Sequence, residues 1–404
     1  MKFKDVMTAV AACVMLLGLA SCSSLMTSKT TEEKMDFVPV TRICDYVVDA
    51  GTYTELDYEL ADRFFRDVCD KWYGGCTAVA KVTDDGTMLV GRNMDLTITN
   101  KPAYVIRTKV EGCYETIGLS YVHSHGDDYQ VVLDRGVDPY FHKLIPFLSC
   151  DVMNSQGLYI ETNMRPDEYY ANGNTKFGCS GTNPGSDLRI CALNLPRYLG
   201  EYCATVDEVL EAVKKIDIYT ITDHKLAWNF CFILADSSGH YGLLEIADNK
   251  VVWHEKQPAQ ANFYITKEFR DKEELPCGLG RYETVMNGID SVQNSSDMFA
   301  LMDKVSYFQL NFPESCPIDV RSEQSGARDY WTYSYLMDEK NREEIMSAVI
   351  AAGEKLRTLS RQEVQDRCEY WESVFTEVAN CTDRTLFVRF FEDNERTLTL
   401  SFDK

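Results

Sequence analysis

Apolar residues alternate from Cys76 to Val82, give way to polar residues at Asp84-Asp85-Gly86, and return from Thr87 to Gly91. Alternation on both sides of an Asp-Gly turn predicts a β-hairpin, and its return strand carries Arg92, Asn93 and Asp95 back beside Cys76. Ahead of it, Leu56, Leu60, Phe64, Phe65, Val68 and Trp72 recur at helical spacing, which predicts a helix over about 54–72. Beyond it, strands are expected over 103–110, 116–122 and 129–133, followed by a second hairpin from Asp151 to Asn163 that turns at Asn154-Ser-Gln-Gly157. A Gly/Asn/Thr/Ser-rich stretch, 169–188, reads as a loop of the kind that lines a substrate site.

The second half alternates between the two periods. Helices are expected over 190–202 and 205–216, the latter with Thr205 as its cap. A three-stranded meander follows over 227–235, 241–246 and 251–255, then a short strand over 262–267. Gly278-Leu-Gly-Arg281 opens a helix to about Ile289, and further helices are expected over 296–308 and 338–358. The chain closes with strands over 370–379, 384–391 and 397–402. Strands dominate, with helices interspersed, which is an α+β pattern.

The chain's 404 residues, 45% hydrophobic and 12% aromatic, suffice for one large core. A net charge of −22 without a basic cluster argues against nucleic acid and against binding an anionic membrane by charge, leaving small molecules as the expected partners. Self-association is compatible with the sequence. Lys2 and Lys4 precede an apolar run, Val6–Ala20, that is short for a membrane span, so residues 1–21 read as a signal peptide. Leu19-Ala20-Ser21-Cys22 resembles a bacterial lipobox, which implies lipidation at Cys22 and an exported, membrane-anchored protein. Residues 22–75 would then be a polar tether and helical pro-segment, and 76–404 the functional domain.

Fifteen cysteines without a CxxC spacing point to buried thiols and give no metal cage. His123-Ser-His125-Gly-Asp127-Asp128 fits no ligand spacing and reads as a solvated turn. No metal and no cofactor is expected. Cys76 follows Gly75, whose backbone freedom suits a self-cleaving bond. A guanidinium beside a thiol lowers its pKa from about 8.5, and a freed α-amine, titrating near roughly 7.7–8, would give Cys76 its own base. Two plainer readings stand beside this one: a buried inert Cys76, and a surface ion pair for Arg92 and Asp95.

Gly75-Cys76-Thr77, Gly91-Arg92-Asn93-Met94-Asp95, Asn154-Ser-Gln-Gly-Leu158 with Asn163, and Gly280-Arg281-Tyr282 together resemble the choloylglycine hydrolase family. These are the bile salt hydrolases, penicillin V acylases and related linear amide hydrolases of the N-terminal-nucleophile superfamily. The first two motifs are also similar to the isopenicillin N acyltransferase relatives. The resemblance implies an αββα sandwich of two antiparallel sheets between helical layers. It further implies cleavage of Gly75–Cys76, Cys76 as nucleophile, Arg92 against the thiolate, Asp95 on the freed amine, and Asn163 and Arg281 in the catalytic set. At the family's second asparagine this chain has Lys267, with Asn262 five residues earlier as the other candidate for the oxyanion position. The implied activity is hydrolysis of a linear amide such as a conjugated bile salt or penicillin V; the alternative is a non-catalytic lipoprotein that keeps the fold and binds a ligand. Processing would free the catalytic chain from its covalent anchor.

Overall fold

In the computed structural model, the described residues are 40–68, 74–97, 103–120, 129–166, 177–221, 228–272, 278–306, 308–311, 318–319, 369–390 and 393–402. The expected signal peptide, Cys22, the expected turn at 123–128 and the expected helix at 338–358 lie outside them.

Two sheets form the centre. The first has nine strands in the order 41–44, 47–53, 105–110, 116–120, 149–154, 159–166, 228–235, 241–247 and 250–255. Neighbours in it are antiparallel except 47–53 with 105–110, which run parallel from Val47↔Val105 to Tyr53↔Val110. The second sheet orders 259–260, 74–82, 88–97, 369–380, 308–311 and 318–319, with 385–390 added beside 369–380 and 393–401 beside 385–390. Its pairings are all antiparallel.

The two faces of strand Gly74–Val82 are buried against different neighbours. Cys76, Ala78 and Ala80 join the large core with Ile160, Phe230 and Phe232 of the nine-stranded sheet. Val79 packs instead with Val285, Met298, Phe299 and Met302 of helices Leu279–Gly288 and Ser295–Asp303. Helix Leu195–Tyr202 covers the far side of the nine-stranded sheet, where a Cβ on its Gly200 would press on Val152. Helix, sheet, sheet, helix is the layering expected.

Several elements differ from expectation for local reasons. Residues Tyr129–Arg135 are a helix, closed by Gly136 N–H donating to Val132 O; a short apolar run reads equally as strand or helix. The helix expected from 190 starts at Leu195, with Pro196 in its first turn, while Arg189–Cys191 pairs with Asp217–Tyr219 as a small parallel ribbon. Thr205 caps helix Val206–Ala212, its side chain accepting from Glu208 N–H. The strand expected over 262–267 does not form. Ile265 and Thr266 donate their N–H groups to the buried Glu245 carboxylate at 2.7 and 2.9 Å instead of to a ladder, and a short helix begins at Lys267.

Residues 40–68 are part of this architecture. They supply two strands of the nine-stranded sheet and helix Tyr58–Val68, and they bury Val47, Val48, Ala50, Leu60, Ala61 and Phe65. Among the described residues Cys44, Cys76, Cys113, Cys150, Cys179, Cys191, Cys203, Cys231 and Cys381 are free thiols, most of them buried, as the spacing led us to expect.

Candidate active site

The site is built on the hairpin. Cys76 pairs with Met94, Ala78 with Arg92 and Gly75 with Asp95, so the cysteine enters as a link in a continuous strand. Because successive residues alternate faces, Cys76 and Arg92 point between the sheets, while Thr77 and Asp95 point toward helix Leu279–Gly288. The cysteine is therefore addressed from two sides.

On the inner side, Arg92 Nη2 lies 3.4 Å from Cys76 Sγ and donates to Thr162 O at 3.1 Å. Its Nε is 2.8 Å from Asp151 Oδ2 and 3.5 Å from Glu161 Oε1, both on the opposite sheet, with every partner fully buried. Glu377 stands directly across the ladder from Arg92 and accepts a hydrogen bond from Tyr159 Oη at 2.7 Å. Three carboxylates around one guanidinium in a dry interior cannot all be ionised at tolerable cost. Burial, reinforced by Asp151, lifts Glu377 far above the ordinary carboxylate range, so it keeps its proton.

On the outer side, Arg281 holds the cysteine's backbone. Its Nη1 donates to Cys76 O at 2.6 Å and Thr77 Oγ1 at 2.8 Å, and sits 3.2 Å from Asp95 Oδ2. Arg281 Nη2 donates to Asn262 Oδ1 at 2.7 Å, the same oxygen that accepts from Cys76 N–H at 2.9 Å. Asp95 Oδ1 accepts from Ser373 Oγ at 2.5 Å. Gly278, with φ +84°, caps this helix; a Cβ there would come within 2.8 Å of Arg281 Nη2, so the close approach requires glycine.

The two asparagines are joined. Asn262 Nδ2 donates to Asn163 Oδ1 at 3.0 Å and to Met164 O at 2.7 Å. That leaves Asn163 Nδ2 buried without a hydrogen-bond partner among the described residues. A buried donor left open costs free energy unless something it is aimed at arrives, which is the property of an oxyanion donor.

Cys76, Arg92, Asp95, Asn163, Asn262 and Arg281 thus lie in one connected cluster. Lys267 does not join it: the bend imposed by Glu245 turns it to solvent, 85% exposed and paired with Asp271. Arg92 and Asp95 are buried and pair with Asp151 and Arg281, so the surface ion-pair reading falls. Arg92 lowers the Cys76 pKa as expected, but in the uncut chain burial outweighs it. Burial pushes the thiol up to about 12 against the pull of Arg92, with Glu161, Asp95 and Asp151 adding to the rise. Of the stretch 169–188 read as a substrate-lining loop, Phe177 packs against Tyr264 and Phe269, while Tyr169 and Tyr170 lie outside the described residues. Among the described residues no cluster suited to a metal ion occurs. Sequence reasoning passed over Asp151, Glu161, Glu377, Gly278 and Ser373. Parity along strand Tyr159–Pro166 could have found Glu161, which alternates with Tyr159 and Asn163 on one face.

A buried cysteine under an arginine, with an asparagine donor alongside, thus lies between two sheets and their helices. Residues 76–262 match the model of the linear amide C-N hydrolases, choloylglycine hydrolase family. The match lies within this segment, just under half of the chain, and indicates a hydrolase acting on linear amide C–N bonds. Among solved structures, the chain is similar to a mutant conjugated bile acid hydrolase from Clostridium perfringens at 12% identity, covering 81% of this chain and 92% of that one, TM-score 0.40. It is similar to the penicillin V acylase from Agrobacterium tumefaciens at 12% identity, covering 81% and 86%, TM-score 0.46. None of the curated proteins compared with the chain matches it.

Proposed function

We propose that this chain is an exported cysteine amidase whose nucleophile is the Cys76 thiol, armed by cleavage of its own Gly75–Cys76 bond. The observation that carries this reading is the paired approach to Cys76: Arg92 at the sulfur and Asn262 at the backbone nitrogen. In the cut, Sγ attacks the Gly75 carbonyl, the C–N bond breaks, and the nitrogen becomes the Cys76 amine. Water then resolves the Gly75 thioester to a carboxylate. The same chemistry serves the substrate: Sγ attacks the amide carbon, the α-amine takes the thiol proton and hands it to the leaving amine, and water releases the acid. Asn163 Nδ2 supplies the oxyanion donor. Asn262, whose nitrogen is already engaged, steadies the amine through its oxygen, and Asp95 balances Arg281.

The high pKa of the buried thiol fits a precursor held dormant until its amine is freed. Lipidation at Cys22 would place the protein at a bacterial membrane. The substrate class is an apolar acyl group on a linear amine or amino acid, as in conjugated bile salts and penicillin V. The test is intact-mass measurement beside a hydrolysis panel of bile salt conjugates, penicillin V, N-acyl amino acids and acyl-homoserine lactones. A chain beginning at Cys76 with turnover of one class is expected; Cys76→Ala with undiminished activity and processing would overturn the reading. The same dormancy also suits a second reading, a lipoprotein that binds without turnover, for which the chain stays uncut and the panel silent.

A further inference from the structure

We infer that residues 40–68 remain in the sheet after the cut, so that the processed enzyme is a two-chain particle whose catalytic chain is held to its lipid anchor by packing alone. This rests on the cleavage proposed above.

The segment supplies the two outermost strands of the nine-stranded sheet, and its longer strand is covered on both sides. Strand Val47–Tyr53 lies between 41–44 and 105–110, and its ladder continues through Val105 N–H to Tyr46 O at 2.8 Å and Glu111 N–H to Tyr53 O at 2.6 Å. Val47, Val48 and Ala50 are wholly buried, as are Ala61 and Phe65 on the helix that follows. Three tyrosines tie it to the rest: Tyr53 Oη donates to His142 O at 3.0 Å, Tyr58 Oη to Glu201 Oε2 at 3.2 Å, and Tyr219 Oη to Asp62 Oδ1 at 2.5 Å. It also reaches the second sheet. Tyr46 stacks on Phe390 with centroids 4.5 Å apart, and Arg396 pairs with Asp45 at 3.2 Å. Were the segment to leave, Val105–Val110 would become a bare edge with Val105, Ile106 and Val110 uncovered, a state that folded proteins avoid. Breaking one peptide bond outside these contacts removes none of them.

The experiment uses the full chain with a C-terminal affinity tag and a protease recognition sequence in place of residues 69–73, so that a nick is made whether or not Gly75–Cys76 cleaves. Intact mass before the nick reports on self-cleavage alone. After the nick, the protein is captured by its tag and washed at about 10 nM, where a complex with nanomolar or tighter Kd persists. Both pieces are expected to elute in equal amounts and to separate only in denaturant. Loss of the 40–68 piece from a catalytic chain that stays folded by circular dichroism would overturn the inference. Val48→Asp is expected to cut retention at least tenfold after the nick; if that variant does not fold, Phe65→Ala on the following helix takes its place, and retention equal to the parent's would count against docking by packing.

Discussion

Asn262 Nδ2 donates to Asn163 Oδ1, and that single 3.0 Å bond divides the labour between two side chains. It commits the Asn262 oxygen to Cys76 N–H and leaves the Asn163 nitrogen open. Asn163→Ala is therefore expected to lower kcat by about 10²–10³ with KM little changed, the loss of one oxyanion donor. Asn262→Ala should instead slow the appearance of the chain that starts at Cys76. Time-resolved intact mass beside steady-state kinetics separates the two, and a loss under tenfold for Asn163→Ala would remove it from the oxyanion role.

The carboxylates behind Arg92 are not equivalent. Asp151 holds Nε directly, so Asp151→Ala leaves a buried charge short of its partner and should cost about 3–5 kcal/mol. Glu377 already carries its proton, so Glu377→Gln keeps the charge and the Tyr159 hydrogen bond and should cost less than about 1 kcal/mol. Urea unfolding of both variants checks the contrast; equal costs would mean that Glu377 is ionised.

Glu201 makes stability depend on pH. Burial pushes it up to about 7 from its ordinary 4.5, against Arg197 and the Tyr58 hydrogen bond, which lower it. The folded chain therefore binds this proton more tightly than the unfolded chain does. The stability it contributes is complete below 4.5 and drains away as pH rises through about 7, at roughly 1.4 kcal/mol per unit at most. Glu201→Gln should flatten the Tm profile across that window. Parallel profiles for parent and variant would show that the group is ionised in the fold at acid pH.

Gly278→Ala sets a Cβ 2.7 Å from Ala261 Cβ and 2.8 Å from Arg281 Nη2, at a φ of +84°. A strain of about 1–3 kcal/mol is expected, together with slower processing because Arg281 is pushed off the Cys76 carbonyl. Lys267→Ala, at an exposed ion pair, should stay within about 0.5 kcal/mol and leave processing unchanged. Differential scanning calorimetry with mass analysis of the same samples tests both.

Legibility followed sequence distance. The Cys76–Asp95 hairpin was readable because its alternation and its Asp-Gly turn are local, and Asn163 was readable from the strand that delivers it. The choice between Asn262 and Lys267 was not, because the bend between them is set by Glu245, a carboxylate in a different hairpin that captures two backbone N–H groups. Likewise the Arg92–Asp151 pair joins opposite sheets, and no period within either strand announces it. Residues 41–53 carry mixed polar and apolar positions that read as part of the tether and pro-segment; their strand character comes from the neighbour they lie beside.

The ladder between Cys76 and Met94, with Arg281 on the Cys76 carbonyl, would give a chain cut at Gly75–Cys76 an unusual birthplace. Chain termini ordinarily fray first and exchange their amide hydrogens fastest. A chain that begins at Cys76 begins inside the core, so its first amides should exchange among the slowest in the molecule.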